Sequence, residues 1–157
     1  MPKINIRAAN HNDIPILLQF EQGVIEAERP FDPTIKRTAT NYYSIEEMID
    51  VPHIQLLVAE QDEKIVSCGY ARIEKAKDFL QHTRHAYLGF MYVLPEFRGQ
   101  GINQLIIGEL KKWALLKGVT EMRLEVYFQN EAAIRAYEKV GFTKHMIEMR
   151  IALNEPR

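Results

Sequence analysis

The chain opens on a strict alternation: Ile4 and Ile6 are interleaved with Asn5 and Arg7. A period of two predicts a short strand. The period then lengthens. Ile14, Leu17, Leu18, Glu21 and Ile25 recur at helical spacing, preceded by Asn10 and Asp13. Asn10 can cap that helix, and Asp13 can answer its backbone N–H in a capping box. Pro30 and Pro33 break the pattern. Ser44 and Glu47 predict a second capping box, opening a short helix that runs to about Asp50 and ends before Pro52.

Residues 53–60 contain the continuous run Leu56, Leu57, Val58, Ala59 and read as a strand. A turn at 61–64 leads to a hairpin partner at 65–73. Residues 86–94 form a third, aromatic-rich strand that Pro95 ends. Residues 101–117 place Ile102, Leu105, Ile106, Leu110, Trp113 and Leu116 on one helical face. Gly118 follows as a C-terminal cap. A strand at 120–128, a helix at 131–139 ended by Gly141, and a final strand or strand pair at 142–153 complete the expectation.

The predicted order is β, α, α, β, β, β, α, β, α, β. This is an α/β plan in the α+β sense, with a mixed sheet: antiparallel hairpins in the middle and a right-handed parallel crossover through 101–117. No linker-like stretch divides the chain, so residues 1–157 are read as one domain.

Composition narrows the function classes. Lys and Arg total 20, Asp and Glu total 21, and the net charge is -1. That balance argues against nucleic-acid binding and against attraction to anionic lipid. One cysteine, Cys68, excludes an intrachain disulfide and a cysteine-only metal site. No apolar run has the length of a membrane span, and the first residues lack a signal-peptide core. A cytoplasmic protein is expected.

The segment Val93-Leu94-Pro95-Glu96-Phe97-Arg98-Gly99-Gln100-Gly101-Ile102-Asn103 carries the first chemistry. A strand ends, a turn passes through two glycines, and a helix starts. The exposed N–H groups and the helix dipole favour an anion, usually phosphate. Glycines allow close approach, and Arg98 supplies a cationic fork. No Gly-Lys-Ser/Thr follows, so it is not a Walker A loop. Gln104 stands where the dinucleotide fingerprint has its third glycine.

This loop resembles the pyrophosphate loop of the GCN5-related N-acetyltransferase (GNAT) superfamily, Q/R-x-x-G-x-G/A. Arg98 and Gly101 match; Asn103 stands where glycine or alanine is usual. A second block resembles the same family: Leu124-Glu125-Val126-Tyr127-Phe128-Gln129-Asn130, then Ala132, Ala133, Ile134, Tyr137, Glu138, Lys139, Val140, Gly141 and Phe142. Asn130 and Tyr137 lie two helical turns apart on one face, with small Ala133 between them, so a long thin ligand has room there.

The resemblance implies a GNAT-type acyl-CoA N-acyltransferase fold, with a central, mostly antiparallel sheet flanked by helices. It implies acetyl-CoA as cosubstrate, no metal, and direct attack by an amine in a ternary complex. The coenzyme would lie on Met91, Tyr92 and Val93, on Arg98, Gly99, Gln100, Gly101, Ile102 and Asn103, and on Asn130, Ala133 and Tyr137. The Met91 N–H would stabilise the oxyanion, Val93 would pair with the pantetheine amides, and Tyr137 would protonate the leaving thiolate. Where many members carry a basic Glu, this chain has Tyr87. His85, two residues away on the same face, and Glu125 are candidate bases, and an amine arriving neutral needs none.

Other features keep more ordinary readings open. Asn130 can be a helix cap as well as a ligand. Gly89, inside the aromatic strand, fits the family's strand bulge or simple packing. His82 and His85 lack a third ligand, which argues against a metal. Cys68 reads as a buried inert thiol. Glu21, Glu26, Glu28 and Asp32, interleaved with Arg29, Lys36 and Arg37, read mostly as a solvated face. The acceptor, a small-molecule or peptide amine, would be bounded by residues 21–43. A homodimer is compatible with the family pattern. A non-catalytic acyl-CoA-binding module and a structural interaction domain are the alternative functions.

Overall fold

A computed structural model describes residues 3–154. Strand β1 (Ile4–Ala8) pairs antiparallel with β2 (Ile54–Gln61), β2 with β3 (Lys64–Lys75), and β3 with β4 (Arg84–Val93). Strand β5 (Met122–Arg123) joins β4 in parallel, giving the sheet order β1-β2-β3-β4-β5. The mixed, mostly antiparallel sheet is the one the hairpin and crossover signals predict.

Helix α1 (Ile14–Glu28) and the short α2 (Ile45–Asp50) cover one face. Their Leu17, Phe20, Val24, Ile45 and Met48 pack on Leu56, Val58, Tyr70 and Phe90. Helix α3 (Ile102–Leu116) covers the other, packing Ile102, Ile106, Ile107 and Leu110 on Leu57, Ala59, Val66, Ala71, Ala86 and Leu88. The alternation in β2 and β3 therefore feeds two cores from one set of strands. Helix α4 (Glu131–Lys139) lies outside both and buries no residue completely. No helix among the described residues is long and apolar enough to cross a membrane.

Local signals fare unevenly. The Asn10–Asp13 capping box forms: Asn10 Oδ1 accepts from Asn12 N–H at 2.9 Å, and Asp13 Oδ2 accepts from Asn10 N–H at 2.8 Å. It caps a 3-10 turn ahead of α1. Arg7 then grips Asp13 through both terminal nitrogens, at 2.7 and 2.9 Å, which ties β1 to this turn. The expected box at Ser44 does not form, because the Ser44 side chain makes no capping bond. Gly118, at φ +76°, ends α3 as predicted.

Two expectations about the last third are corrected. The strand expected over 120–128 is reduced to Met122 and Arg123, since β4 and β5 pair only at Ala86–Met122 and Tyr87–Arg123. Among the described residues no strand is present over 142–153; the segment makes no ladder. An apolar alternation marks residues that fit a ladder, but a strand also needs a hydrogen-bonding neighbour.

Candidate functional site

The site begins with a miscount of one residue. Cys68 faces Tyr92 and Tyr70 faces Gly89, so Gly69 alone opposes Phe90 and Met91. This is a β-bulge, and Phe90 adopts φ +52° to make it. Gly69 permits it, because the Met91 side chain lies where a Cβ would stand. Fully buried Cys68 directs its Sγ to the Phe90 carbonyl at 3.4 Å, and burial pushes the thiol well up. Of the two readings of Gly89, packing is the one realised: a Cβ there would sit 2.5 Å from the Tyr70 ring.

Beyond their two paired residues β4 and β5 separate. Residues 89–93 of β4 and residues 124–130 make no ladder with each other. Tyr87, at the last paired position, donates its hydroxyl to Glu125 at 3.1 Å. Burial and the Glu125 charge push the Tyr87 phenol up.

The glycine loop follows directly on β4. After the turn Pro95–Phe97, Gly99 and Gly101 take φ +79° and +80°, and Gly101 starts α3 without a side-chain cap. The first N–H groups of α3 are therefore free of helical partners. Nothing lies within 4 Å of a Cβ built at Gly99, so a ligand can approach the backbone. Arg98 donates Nε–H to the Val93 carbonyl at 2.9 Å, and its guanidinium stands 5.7 Å from the Tyr92 ring centroid. The Tyr92 ring packs inward on Phe20 and over Gly23, which leaves its main chain as the part that can meet a ligand. Asn103 buries its Oδ1 without a partner.

The other wall is α4. Asn130 caps it, accepting from Ala133 N–H at 3.2 Å through Oδ1. Tyr137 packs edge-on against Phe142, with ring centroids 5.9 Å apart. Burial first, and the Glu28 charge second, push its phenol up to about 12.

Here the acidic stretch departs from its solvated reading. Glu21 is fully buried, and its Oε2 accepts the N–H groups of Tyr42 and Tyr43 at 2.8 and 2.7 Å. The loop after α1 is thereby folded back over the helix. It carries Tyr42 against Glu28, whose carboxyl is raised by burial. Asp32 accepts from the Tyr127 hydroxyl at 3.3 Å and from Arg150 at 3.2 Å. The Thr34 hydroxyl and N–H hold Asp32 down to about 2. Phe31 stacks on Tyr127, centroids 6.0 Å apart. Glu28 with Tyr42, and Asp32 with Tyr127, thus gather two carboxylates and two phenols after α1. The seven-residue spacing of Glu21 and Glu28, which sets both on one helical face, is the sequence signal for it.

His85 is buried, with Nε2 3.1 Å from Glu74 Oε1 and its ring 6.4 Å from that of His82. Arg72 bonds the same Glu74 and lies 5.5 Å from the Tyr87 ring. His82 pairs with Glu121.

The sequence model described as "Acetyltransferase (GNAT) family" matches residues 22–142. The thialysine N-epsilon-acetyltransferase of Sus scrofa is 43% identical over 150 residues, covering 90% of this chain and 85% of its own length. The Mus musculus enzyme of that name matches over 58 residues at 41% identity, 37% of this chain and 34% of its own length. Among solved structures, a mutant of the BH1408 protein from Bacillus halodurans superposes with a TM-score of 0.86 at 21% identity, covering 96% of this chain and 99% of that one. A predicted acetyltransferase with acetyl-CoA from Clostridium acetobutylicum gives 0.73 at 18% identity, covering 96% and 97%. The chain belongs to the GNAT family of acetyltransferases, the acetyl-CoA-dependent N-acyltransferases. The identity with the pig enzyme makes the relation one of sequence as well as fold.

Proposed function

We propose that this chain transfers the acetyl group of acetyl-CoA to the primary amine of a small acceptor by direct attack in a ternary complex. The observation that carries the reading is the parting of β4 from the 124–130 segment beyond Tyr87–Arg123, with the glycine loop directly after β4 and Tyr137 on α4. The pantetheine arm would lie along Met91, Tyr92 and Val93, and the pyrophosphate on Arg98 and the N–H groups from Gly99 to Asn103. Asn130 and Ala133 would border the arm on the α4 side. Taking the Val93 carbonyl would release the Arg98 side chain from it, toward the phosphate.

The amine nitrogen attacks the thioester carbonyl and the C–S bond breaks. The Met91 N–H stabilises the oxyanion, and the Tyr137 hydroxyl gives its proton to the leaving thiolate. The acceptor loses its own proton to solvent or to a nearby carboxylate. Glu28, whose carboxyl is raised by burial, would serve for that transfer, with His85 and Glu125 as the other candidates. The acceptor fits the side-chain amine of a lysine-like amino acid: the pig relative is named for thialysine, and Glu28 and Asp32 offer charge to an ammonium. We place the enzyme in the cytoplasm.

The test is release of free CoA thiol from acetyl-CoA in the presence of thialysine, other small amines and peptide N-termini. Release with the small amines is expected. Tight acetyl-CoA binding with no release from any amine would replace the reading with a binding module.

A further inference from the structure

We propose that Arg150 determines which amines the site accepts: its guanidinium takes the carboxylate of an amino-acid acceptor and turns away amines that lack one. The inference rests on the transfer to a lysine-like amino acid proposed above, and it names the residue that reads the acceptor's other end.

The first observation is a junction of three chain segments. Asp32, in the loop after α1, accepts the Tyr127 hydroxyl through Oδ2 at 3.3 Å and an Arg150 Nη2–H through Oδ1 at 3.2 Å. Arg150 Nη1 donates to Thr34 Oγ1, also at 3.2 Å. Tyr127 belongs to the 124–130 segment that parts from β4. A single carboxylate therefore links Arg150 to the segment that would border the coenzyme.

The second is what the guanidinium leaves open. A guanidinium carries five N–H donors, and two of these are committed, to Asp32 and Thr34. Nε–H and the second hydrogen of each terminal nitrogen have no acceptor among the described residues. The side chain is 48% exposed, so a ligand can reach those donors. Neighbouring N–H groups on a planar fork match the two oxygens of a carboxylate.

The third is the space in front of the fork. An open pocket of about 240 Å³ is lined by Pro33, Thr34, Arg150 and Ala152. Among these lining residues Arg150 alone is charged. A pocket with one cation and no acid in its lining selects an anion.

The fourth is the order of charges. An α-amino acid carries an ammonium and a carboxylate on the same carbon. Asp32 and Arg150 hold a carboxylate and a guanidinium 3.2 Å apart, the complementary pair. Among the described residues Asp32 Oδ2 accepts from Tyr127 only, and a carboxylate oxygen has lone pairs for a further donor. The head group would lie across the Asp32–Arg150 pair and leave the side-chain amine to reach the thioester. A diamine would bring a second ammonium against Arg150. Attraction then favours the amino acid while repulsion rejects the diamine, and specificity is the difference of the two.

The test compares release of CoA thiol with two acceptors: thialysine, and the diamine left when thialysine loses its carboxyl group. The parent should use thialysine with a kcat/KM at least about tenfold higher. Arg150→Gln should raise the KM for thialysine about tenfold to a hundredfold, the loss of a charge-assisted contact. Its kcat should stay near the parent's, and the KM for the diamine should stay level or fall. Arg150→Lys keeps the charge without the fork and should lie between. An arginine that only braces Asp32 would change both acceptors together, and that result overturns the proposal. A parent that releases thiol but uses the two acceptors alike, or prefers the diamine, also overturns it and leaves the transferase reading standing. No release with any amine overturns that reading and this inference with it. If Arg150→Gln fails to fold, the parent decides with thialysine and its neutral carboxamide. The carboxamide should be poorer by a similar factor, and equal use overturns the proposal.

Discussion

The Glu21 carboxylate, fully buried on α1, accepts the backbone N–H of Tyr43 at 2.7 Å from 22 positions along the chain. The same oxygen accepts from Tyr42 at 2.8 Å. One side chain therefore latches the loop after α1. Glu21→Ala removes both bonds and leaves two N–H groups without an acceptor. Hydrogen bonds to a charged group contribute about 1.5–3 kcal/mol. The variant should unfold several degrees lower and need more acceptor for half-maximal rate, with acetyl-CoA affinity unchanged. Melting curves and acceptor titrations at saturating acetyl-CoA check this; unchanged acceptor dependence would separate the latch from the site.

Tyr137→Phe deletes the proposed proton donor but keeps the ring that packs on Phe142. Turnover should fall tens-fold or more, in the range of general acid effects. Affinity for acetyl-CoA should stay within about twofold. Because the phenol is pushed up to about 12, it remains protonated through the neutral and mildly alkaline range. The parent rate should show no alkaline fall attributable to Tyr137 below about pH 10. Rate profiles from about pH 6 to 10 decide the point.

Arg98→Ala should weaken acetyl-CoA binding about tenfold to a hundredfold, the loss of a charge-assisted contact to phosphate. In the ligand-free chain Arg98 Nε–H is held by the Val93 carbonyl, and the proposed binding mode frees the guanidinium for the phosphate. Calorimetry with acetyl-CoA and with a dephosphorylated pantetheine fragment distinguishes the two roles. The fragment should bind both proteins alike.

Stability should decline steeply at alkaline pH. Burial pushes Tyr127 and Tyr137 to about 12, and Tyr43, Tyr70 and Tyr87 are also raised. The unfolded chain releases these protons near pH 10, while the folded chain keeps them. The folded state therefore binds more protons than the unfolded state, and stability falls as pH rises. Melting temperature should be flat in this respect below about pH 10 and drop between about 10 and 12. Phenolate absorbance should rise together with unfolding; phenolate appearing well before the melt would contradict it.

The parts of the fold that the residues announce are those whose chemistry is local. Asn10 and Asp13 need only each other, and Gly99 and Gly101 need only a turn, so both signals survive in three dimensions. Ser44 satisfies the same rule on paper, but its side chain makes no capping bond. The acidic stretch hides its role for a similar reason. Interleaved charges suggest solvent, while the loop brings two backbone donors to Glu21 from beyond the helix. Residues 142–153 show a different limit. Their alternation specifies a strand's side chains but not which neighbour completes it. At the bulge, Gly69 and not Gly89 is the permissive residue, and only the register across β3 and β4 tells them apart.

Cys68 sits directly behind that bulge, sealed from solvent and held in its neutral form. The chain's one thiol is thus a spectator beside a reaction that handles a thioester and liberates a thiol. It cannot take the acetyl group by exchange, nor trap the spent coenzyme in a mixed disulfide. Each acetyl group delivered should leave one free sulfhydryl in solution, so a thiol reagent applied to the native enzyme would count turnovers against a silent protein background.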